Sequence, residues 1–424
     1  MLVKPRLLFV SPRFLFPMDQ GGKIRTGNTL RGLKGGAFDV TLASPAPTDH
    51  ARYSADIQAA CDHFLSWPEQ APSRVRRLMA LASRLPVAAA TDRSSAGSAV
   101  VRQACAERPD VVVVDFPHAD VLMPPRIDAA SVMFTHNVEA EIFERHVIRT
   151  AGLWRIVWAS QSRKMARLEQ QSLGRYDSVV AVSERDRNVL AERYQLPVVE
   201  AIDTGVDFDF FAMNPPEPAP DADGGTIVFT ATMSWAANVD GVHFLLDQVF
   251  PILLRTRPKI RAVIIGRNPP ASLAEKIEEC GLNVTLTGFV DDIRPYVAQA
   301  NVYVIPLFVG SGTRIKAFEA MAMGRPVVST TLGIEGLDVT DGENFIRADD
   351  AEAFARAILL LMGDDTMREQ IASAARRLVE DRFSWSRVAR QFEAICQRTL
   401  ERRTSRVPHT CAGHGHETAE LPSI

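Results

Sequence analysis

Cysteine is scarce in this chain. There are five in 424 residues, Cys61, Cys105, Cys280, Cys396 and Cys411, and no CxxC pair. An odd, scattered set fits a reducing compartment better than a disulfide framework. Long apolar runs are missing too: no window approaches about eighteen uncharged apolar residues, so no transmembrane helix is expected. The opening MLVKPRLLFVSPRF is broken by charges and proline too soon for a signal peptide and reads as a first strand. An excess of one charge is lacking as well. A formal net charge of −3 gives no global attraction to nucleic acid or anionic lipid. No HExxH, Asp-x-Asp or Cys/His ligand cluster stands in the part expected to fold. His409, Cys411, His414 and His416 fall in Thr404–Ile424, a polar tail that reads as disordered. These absences lead to an expectation of a cytoplasmic globular protein that requires no metal and binds no nucleic acid.

What is present is enough apolar residue, 46%, and enough chain for two domains of ordinary size. Short apolar runs alternate with helical patterns. Arg6–Ser11, Asp39–Ala43, Asp110–Asp115, Ser131–Thr135 and Ser178–Val182 read as parallel strands of an α/β unit. The first strand leads through a loop, Pro12–Gly22, ending in Gly21–Gly22, into a helix from about Lys23. Asn214–Gly225 (NPPEPAPDADGG) carries four prolines and no Val, Ile or Leu, and it marks a linker. A second alternation starts at Thr226 and runs to about residue 384, and Trp385–Arg403 is a final amphipathic helix. The expected fold is therefore two doubly wound, Rossmann-like α/β domains, 1–213 and 226–384. Any ligand would lie between them, at the carboxyl ends of both sheets.

Val309–Thr331 (VGSGTRIKAFEAMAMGRPVVSTT) is the stretch richest in chemistry. A Gly-Ser-Gly loop leads into a short helix, with Thr313 at its N-cap, and Gly324 and Pro326 end it. Arg314 and Lys316 sit in the first turn, where the helix dipole is already positive, an arrangement that an anion would offset. Loop glycines, free N–H groups and two cations make a phosphate site. Glu319 lies near the apolar face and needs a polar partner, a sugar hydroxyl or Lys316.

At SGTRIKAFEAMAMGRPVVST the chain resembles the nucleotide-sugar motif of retaining glycosyltransferases of the GT-B fold, family 4. Glu319 matches the second glutamate of the family's Glu-x7-Glu, and Ser311 stands in place of the first, in a Gly-Ser-Gly-Thr variant. The resemblance runs from about Arg6 to Phe392. It implies transfer of a sugar from a nucleotide-diphosphate sugar to a glycan or lipid-linked acceptor, with retention and without a metal. It implies surface polysaccharide or glycolipid assembly as the setting, and a last helix crossing back to the first domain. On this likeness His136, in THNVEAE after a central strand, faces the sugar or acceptor, and Arg314 and Lys316 hold the diphosphate. Ser311, Gly312 and Thr313 line the donor loop, and Gly21 and Gly22 lie near phosphate or acceptor. Gly288, Phe289 and Val290 flank the base, and Gly333, Ile334 and Glu335 close over the phosphates. Relatives often carry cations after the first strand of the second domain. None stands between Gly224 and Arg255 here, leaving Asn238 as a neutral donor. Taken without the likeness, His136 reads as a structural cap and Glu335 as a solvated residue. Two other functions stay open: a nucleotide-sugar epimerase of the same fold, and a non-catalytic nucleotide-sugar-binding scaffold.

Gly152–Arg167 (GLWRIVWASQSRKMAR) mixes tryptophan, aliphatic residues and cations. A helix packed on the first sheet is the simpler reading, and peripheral contact with a membrane is the alternative. Arg74, Arg76, Arg77 and Arg84 punctuate another apolar stretch, which reads as a solvated helix face.

Overall fold

The computed structural model describes residues 3–70, 73–203, 205–212, 224–233, 235–279, 281–309 and 315–406. Most of the linker, the tail beyond Arg406, and Ser311, Gly312, Thr313 and Arg314 lie outside the described residues.

The first domain holds a seven-stranded, fully parallel sheet. Its strands are β1 (Arg6–Val10), β2 (Asp39–Ala46), β3 (His63–Pro68), β4 (Val111–Asp115), β5 (Ala130–Phe134), β6 (Ser178–Ala181) and β7 (Val199–Ala201), in the order β3-β2-β1-β4-β5-β6-β7. Every residue of β4 and β5 is buried, because a parallel sheet with helices on both faces hides both sides of its central strands. Register follows: Leu7 pairs with Val111, and Val111 with Ala130. The second sheet is also parallel, with β8 (Thr226–Thr230), β9 (Arg261–Ile265), β10 (Val284–Gly288), β11 (Val302–Ile305), β12 (Val327–Ser329) and β13 (Ile346–Arg347) ordered β10-β9-β8-β11-β12-β13. Strand order reverses between β1 and β4 and again between β8 and β11. These are the switch points where open α/β sheets form crevices.

Helices around the two sheets include α1 (Gly21–Leu33), α2 (Arg74–Leu81), α3 (Glu139–Arg149), α4 (Gly152–Leu173), α5 (Glu184–Tyr194), α6 (Ala236–Phe244), α7 (Ile315–Ala322) and α8 (Trp385–Arg406). Helix α1 begins at Gly21, two residues earlier than expected, so the glycine pair is the first turn of the helix and not the end of a loop. Helix α7 ends as its sequence indicates: Gly324 takes φ +67, and its N–H donates to the Met321 carbonyl at 2.9 Å.

Helix α8 runs to Arg406, so residues 404–406, expected in the disordered tail, are helical. It packs on the first domain, not the second. Val388, Phe392, Ile395 and Cys396 join the core that holds Leu7, Phe9 and Phe134. The crossing with α1 is close enough that a Cβ on Gly32 would overlap that of Ala389. The chain therefore passes between domains twice. The two passages touch, with Val206 N donating to Phe383 O at 2.7 Å and Trp385 N to Val206 O at 3.2 Å.

Candidate active site

On the first domain the site is built at the ends of β1, β4 and β5. Asp115, the last residue of β4, is buried and accepts from Ser11 Oγ at 3.1 Å and Thr26 Oγ1 at 3.0 Å. His136 follows β5, and its Nε2 lies 2.6 Å from Asp115 Oδ1. Its Nδ1 lies 3.1 Å from Arg25 Nη1. A guanidinium only donates, so Nδ1 must accept, and Nε2 carries the proton to Asp115. Burial lowers the His136 pKa against the opposing pull of Asp115, which agrees with this neutral tautomer. Burial also brings Arg25 down to about 10, countered in part by Asp186 and Asp115. Phe116, turned by a φ of +69, stacks on the His136 ring at 4.1 Å. His118, the other strand-end histidine, sits 2.6 Å from Asp92.

The N-terminus of α1 lies against this network. Gln20 provides no side-chain cap, and the first turn contains no acidic residue. The early N–H groups of a helix have no intrahelical partner and carry its positive end, so this is an anion-compatible position. A Cβ on Gly21 would stand 3.7 Å from Ile315 Cδ1, the first residue of α7 in the second domain. The starts of α1 and α7 thus meet across the crevice.

Two strand ends and the start of α7 on the second domain face the same space. After β9, Arg267 lies over the Phe289 ring at 4.1 Å and pairs with Asp19 of the first domain at 3.2 Å. Asp19 also faces Lys23 at 3.4 Å. Gly288 takes φ +69 at the end of β10, Phe289 beyond it is 56% exposed, and Val290 packs on the core. Lys316 Nζ sits 4.7 Å from the centre of the Phe229 ring. Glu319 is partly buried, and desolvation raises it to about 7 against the attraction of Lys316.

Several expected donor contacts are already engaged within the protein. Asn238 Nδ2 donates to the Thr232 carbonyl at 2.7 Å, which ties the loop after β8 to α6. The Gly333 N–H donates to Thr330 Oγ1 at 2.9 Å, so it does not point at an open anion site. Ile334 is buried. Glu335 is partly exposed and is engaged in ion pairs. It faces two arginines of the first domain, Arg145 on α3 at 3.5 Å and Arg185 on α5 at 3.6 Å.

The structure therefore sets Gly21, Gly22, Phe289, Lys316, Glu319 and Glu335 on elements that border the crevice, and it buries His136 with both ring nitrogens engaged, while Ser311, Gly312, Thr313 and Arg314 fall outside the described residues. Asp19, Thr26, Asp115 and Arg267 are the additions. Asp115 and Arg267 follow the rule that singled out His136, a polar residue at the carboxyl end of a parallel strand. Asp19 and Thr26 carry no comparable signal.

Comparison with known proteins agrees with the two-domain fold. A model described as Glycosyltransferase Family 4 matches residues 20–210, and one described as Glycosyl transferases group 1 matches residues 224–364. Phosphatidyl-myo-inositol mannosyltransferase of Mycobacterium leprae is 30% identical over 220 residues, which are 51% of this chain and 58% of that protein. The match thus spans less than two thirds of the relative's length. Sucrose-phosphate synthase from Thermosynechococcus elongatus has the same fold, with a TM-score of 0.70 at 16% identity, over 94% of this chain and 100% of that one. Anabaena HepE in complex with UDP and glucose gives a TM-score of 0.65 at 15% identity, over 93% and 99%.

Proposed function

Because the chain belongs to the glycosyltransferases of the GT-B fold, we propose that it moves a sugar from a nucleotide-diphosphate sugar to a glycan or lipid-linked acceptor, with retention at the anomeric carbon. Surface polysaccharide or glycolipid assembly is the setting the relatives suggest. The observation that carries this reading is the meeting of two helix N-termini, with Lys23, Arg267 and Lys316 nearby, at the carboxyl ends of both sheets. Positive ends and cations gathered in one crevice suit a diphosphate, whose charge grows as the sugar–phosphate bond breaks.

In this reading the diphosphate lies between α1 and α7. Lys316 and Arg314 stabilise it as it leaves, and no metal ion is required. Glu319 binds hydroxyls of the sugar or ribose, and Phe289 lies beside the base. The acceptor hydroxyl attacks the anomeric carbon on the first domain's side of the crevice as the sugar–phosphate bond breaks, and its proton passes to the departing phosphate oxygen. Both nitrogens of His136 are engaged, so it acts by holding Asp115 and Arg25 in place.

The test is thermal stability against UDP-, GDP-, ADP- and dTDP-sugars, repeated with EDTA, followed by turnover of Lys316→Ala. The reading expects a shift from one nucleotide class that EDTA leaves intact, and a loss of turnover of about a hundredfold or more. No shift from any nucleotide sugar, or turnover of Lys316→Ala within a few-fold of wild type, would overturn it. Product analysis without acceptor separates transfer from epimerisation.

A further inference from the structure

Two segments without acidic residues meet on one side of the first domain. Residues 70–91 carry Arg74, Arg76, Arg77 and Arg84, and residues 145–168 carry five arginines and Lys164; neither stretch has an Asp or Glu. At the chain's own frequency, 51 acidic residues in 424, each would hold two or three. The structure joins the two. Lys164 Nζ donates to the Leu81 carbonyl at 2.7 Å, Val87 N donates to Gln161 Oε1 at 2.8 Å, and Ala89 packs with Met165 and Leu168.

The outward side of this surface is apolar as well as basic. On α2, Val75, Leu78 and Met79 are about two-thirds exposed, beside the exposed Arg74 and Arg77. At the turn between α3 and α4, Ile148 and Leu153 are 82% and 81% exposed, and Trp154 and Ile156 are 68% and 66% exposed. These seven are half of the fourteen large apolar side chains that stand exposed among the described residues. The later part of α4 is packed, with Met165, Leu168 and Leu173 buried, so the helix is anchored at one end and bare at the other. Its bare end has a firm base, because Trp158 stacks on His146 at 4.3 Å and meets Phe143 edge-on at 5.8 Å.

We propose that this face docks on an anionic lipid bilayer. The α3–α4 tip enters the headgroup region, and the arginines of α2 and α4 lie on lipid phosphates. Bare apolar side chains interleaved with cations, on two segments that themselves carry no carboxylate, are the chemistry of an interfacial helix. A second copy of the chain is a poor occupant, because the same face on the partner would bring cations against cations. The proposal does not depend on the donor site, which lies at the strand ends.

Vesicle co-sedimentation tests it, with phosphatidylcholine alone and with phosphatidylglycerol added. The protein is expected in the pellet with the anionic vesicles and released by high salt. Replacing Arg74, Arg77 and Arg155 by Ala should weaken partitioning by about fivefold per residue. A Leu153→Ser, Trp154→Ser, Ile156→Ser variant should lose binding, and Trp154→Ser alone should weaken it, so the result does not rest on one variant staying folded. Wild type left in the supernatant, or serine variants that bind as well as wild type, would overturn the proposal. So would a wild-type dimer that the serine variants dissociate. The nucleotide-sugar thermal shift, run on the same preparations, reports separately on the donor reading.

Discussion

Arg267 is held across the crevice by Asp19, and this contact competes with any diphosphate that needs the same guanidinium. At 3.2 Å and an effective dielectric constant of about 20, the bare attraction would be about 5 kcal/mol. Arg267 is 42% exposed and Asp19 22% exposed, so water screens most of this, and pairs of that kind measure about 1 kcal/mol or less. Removing the competitor with Asp19→Asn should therefore tighten the sugar nucleotide up to about fivefold. Arg267→Ala removes a charge-assisted hydrogen bond to phosphate, and the loss should be about tenfold or more. The two changes share one partner, so Asp19→Asn should have a smaller effect in the Arg267→Ala background, where only its contact with Lys23 remains to be released. Titration calorimetry on the four proteins supplies the cycle. Weaker binding by Asp19→Asn would show that the aspartate supports the donor. Unchanged binding by Arg267→Ala would remove the arginine from the site.

Other perturbations follow from the same contacts. Glu335→Gln removes the attraction to Arg145 and Arg185, about 1 kcal/mol for such partly exposed pairs, and should widen the crevice in small-angle scattering of the unliganded protein; an unchanged scattering curve refutes this. Gly333→Ala would drive a Cβ into Ser329 Oγ and to 2.7 Å from the Ile305 carbonyl, and urea unfolding should show a loss of about 1–3 kcal/mol. Glu169 is buried, accepts the Glu139 and Ala140 N–H groups, and is raised by desolvation to about 7. The unfolded glutamate loses its proton near 4.5, so between those values the folded state binds more protons, and stability falls as pH rises. The stability of wild type minus that of Glu169→Gln should fall by up to roughly 3 kcal/mol from about pH 4.5 to about pH 8, and a flat difference refutes the assignment.

The architecture is legible where local and tertiary signals agree. Runs such as VVVVD and SVMFT are buried on both faces and bounded by turns, and the structure has central strands there. β3 is not legible, because His63–Pro68 is an edge strand with only Trp67 fully buried, so its pattern is weak. β13 has two residues and no pattern at all. The glycine pair reads as a loop because glycine disfavours helix, yet α1 starts there, with Phe116 Cζ only 3.0 Å from where a Gly22 Cβ would stand. At the site, strand-end residues can be found by position. The pairings cannot: Asp19 with Arg267, and Glu335 with Arg145 and Arg185, join residues far apart in sequence and in different domains. The hydrogen bonds that occupy Asn238 and Gly333 are equally invisible until the loops are placed.

Helix α8 has a consequence for how the molecule is made. It is the last described element of the chain, yet Phe392 and Ile395 complete the core around β1, whose residues are synthesised first. The second domain can close while it emerges from the ribosome, since its strands and covering helices are contiguous. The first must wait with an apolar groove open, from Leu33 to Phe134, until about 250 further residues have been added. Completion therefore runs opposite to synthesis, and a chain stalled before Val388 would expose that groove as a surface for aggregation or chaperone capture.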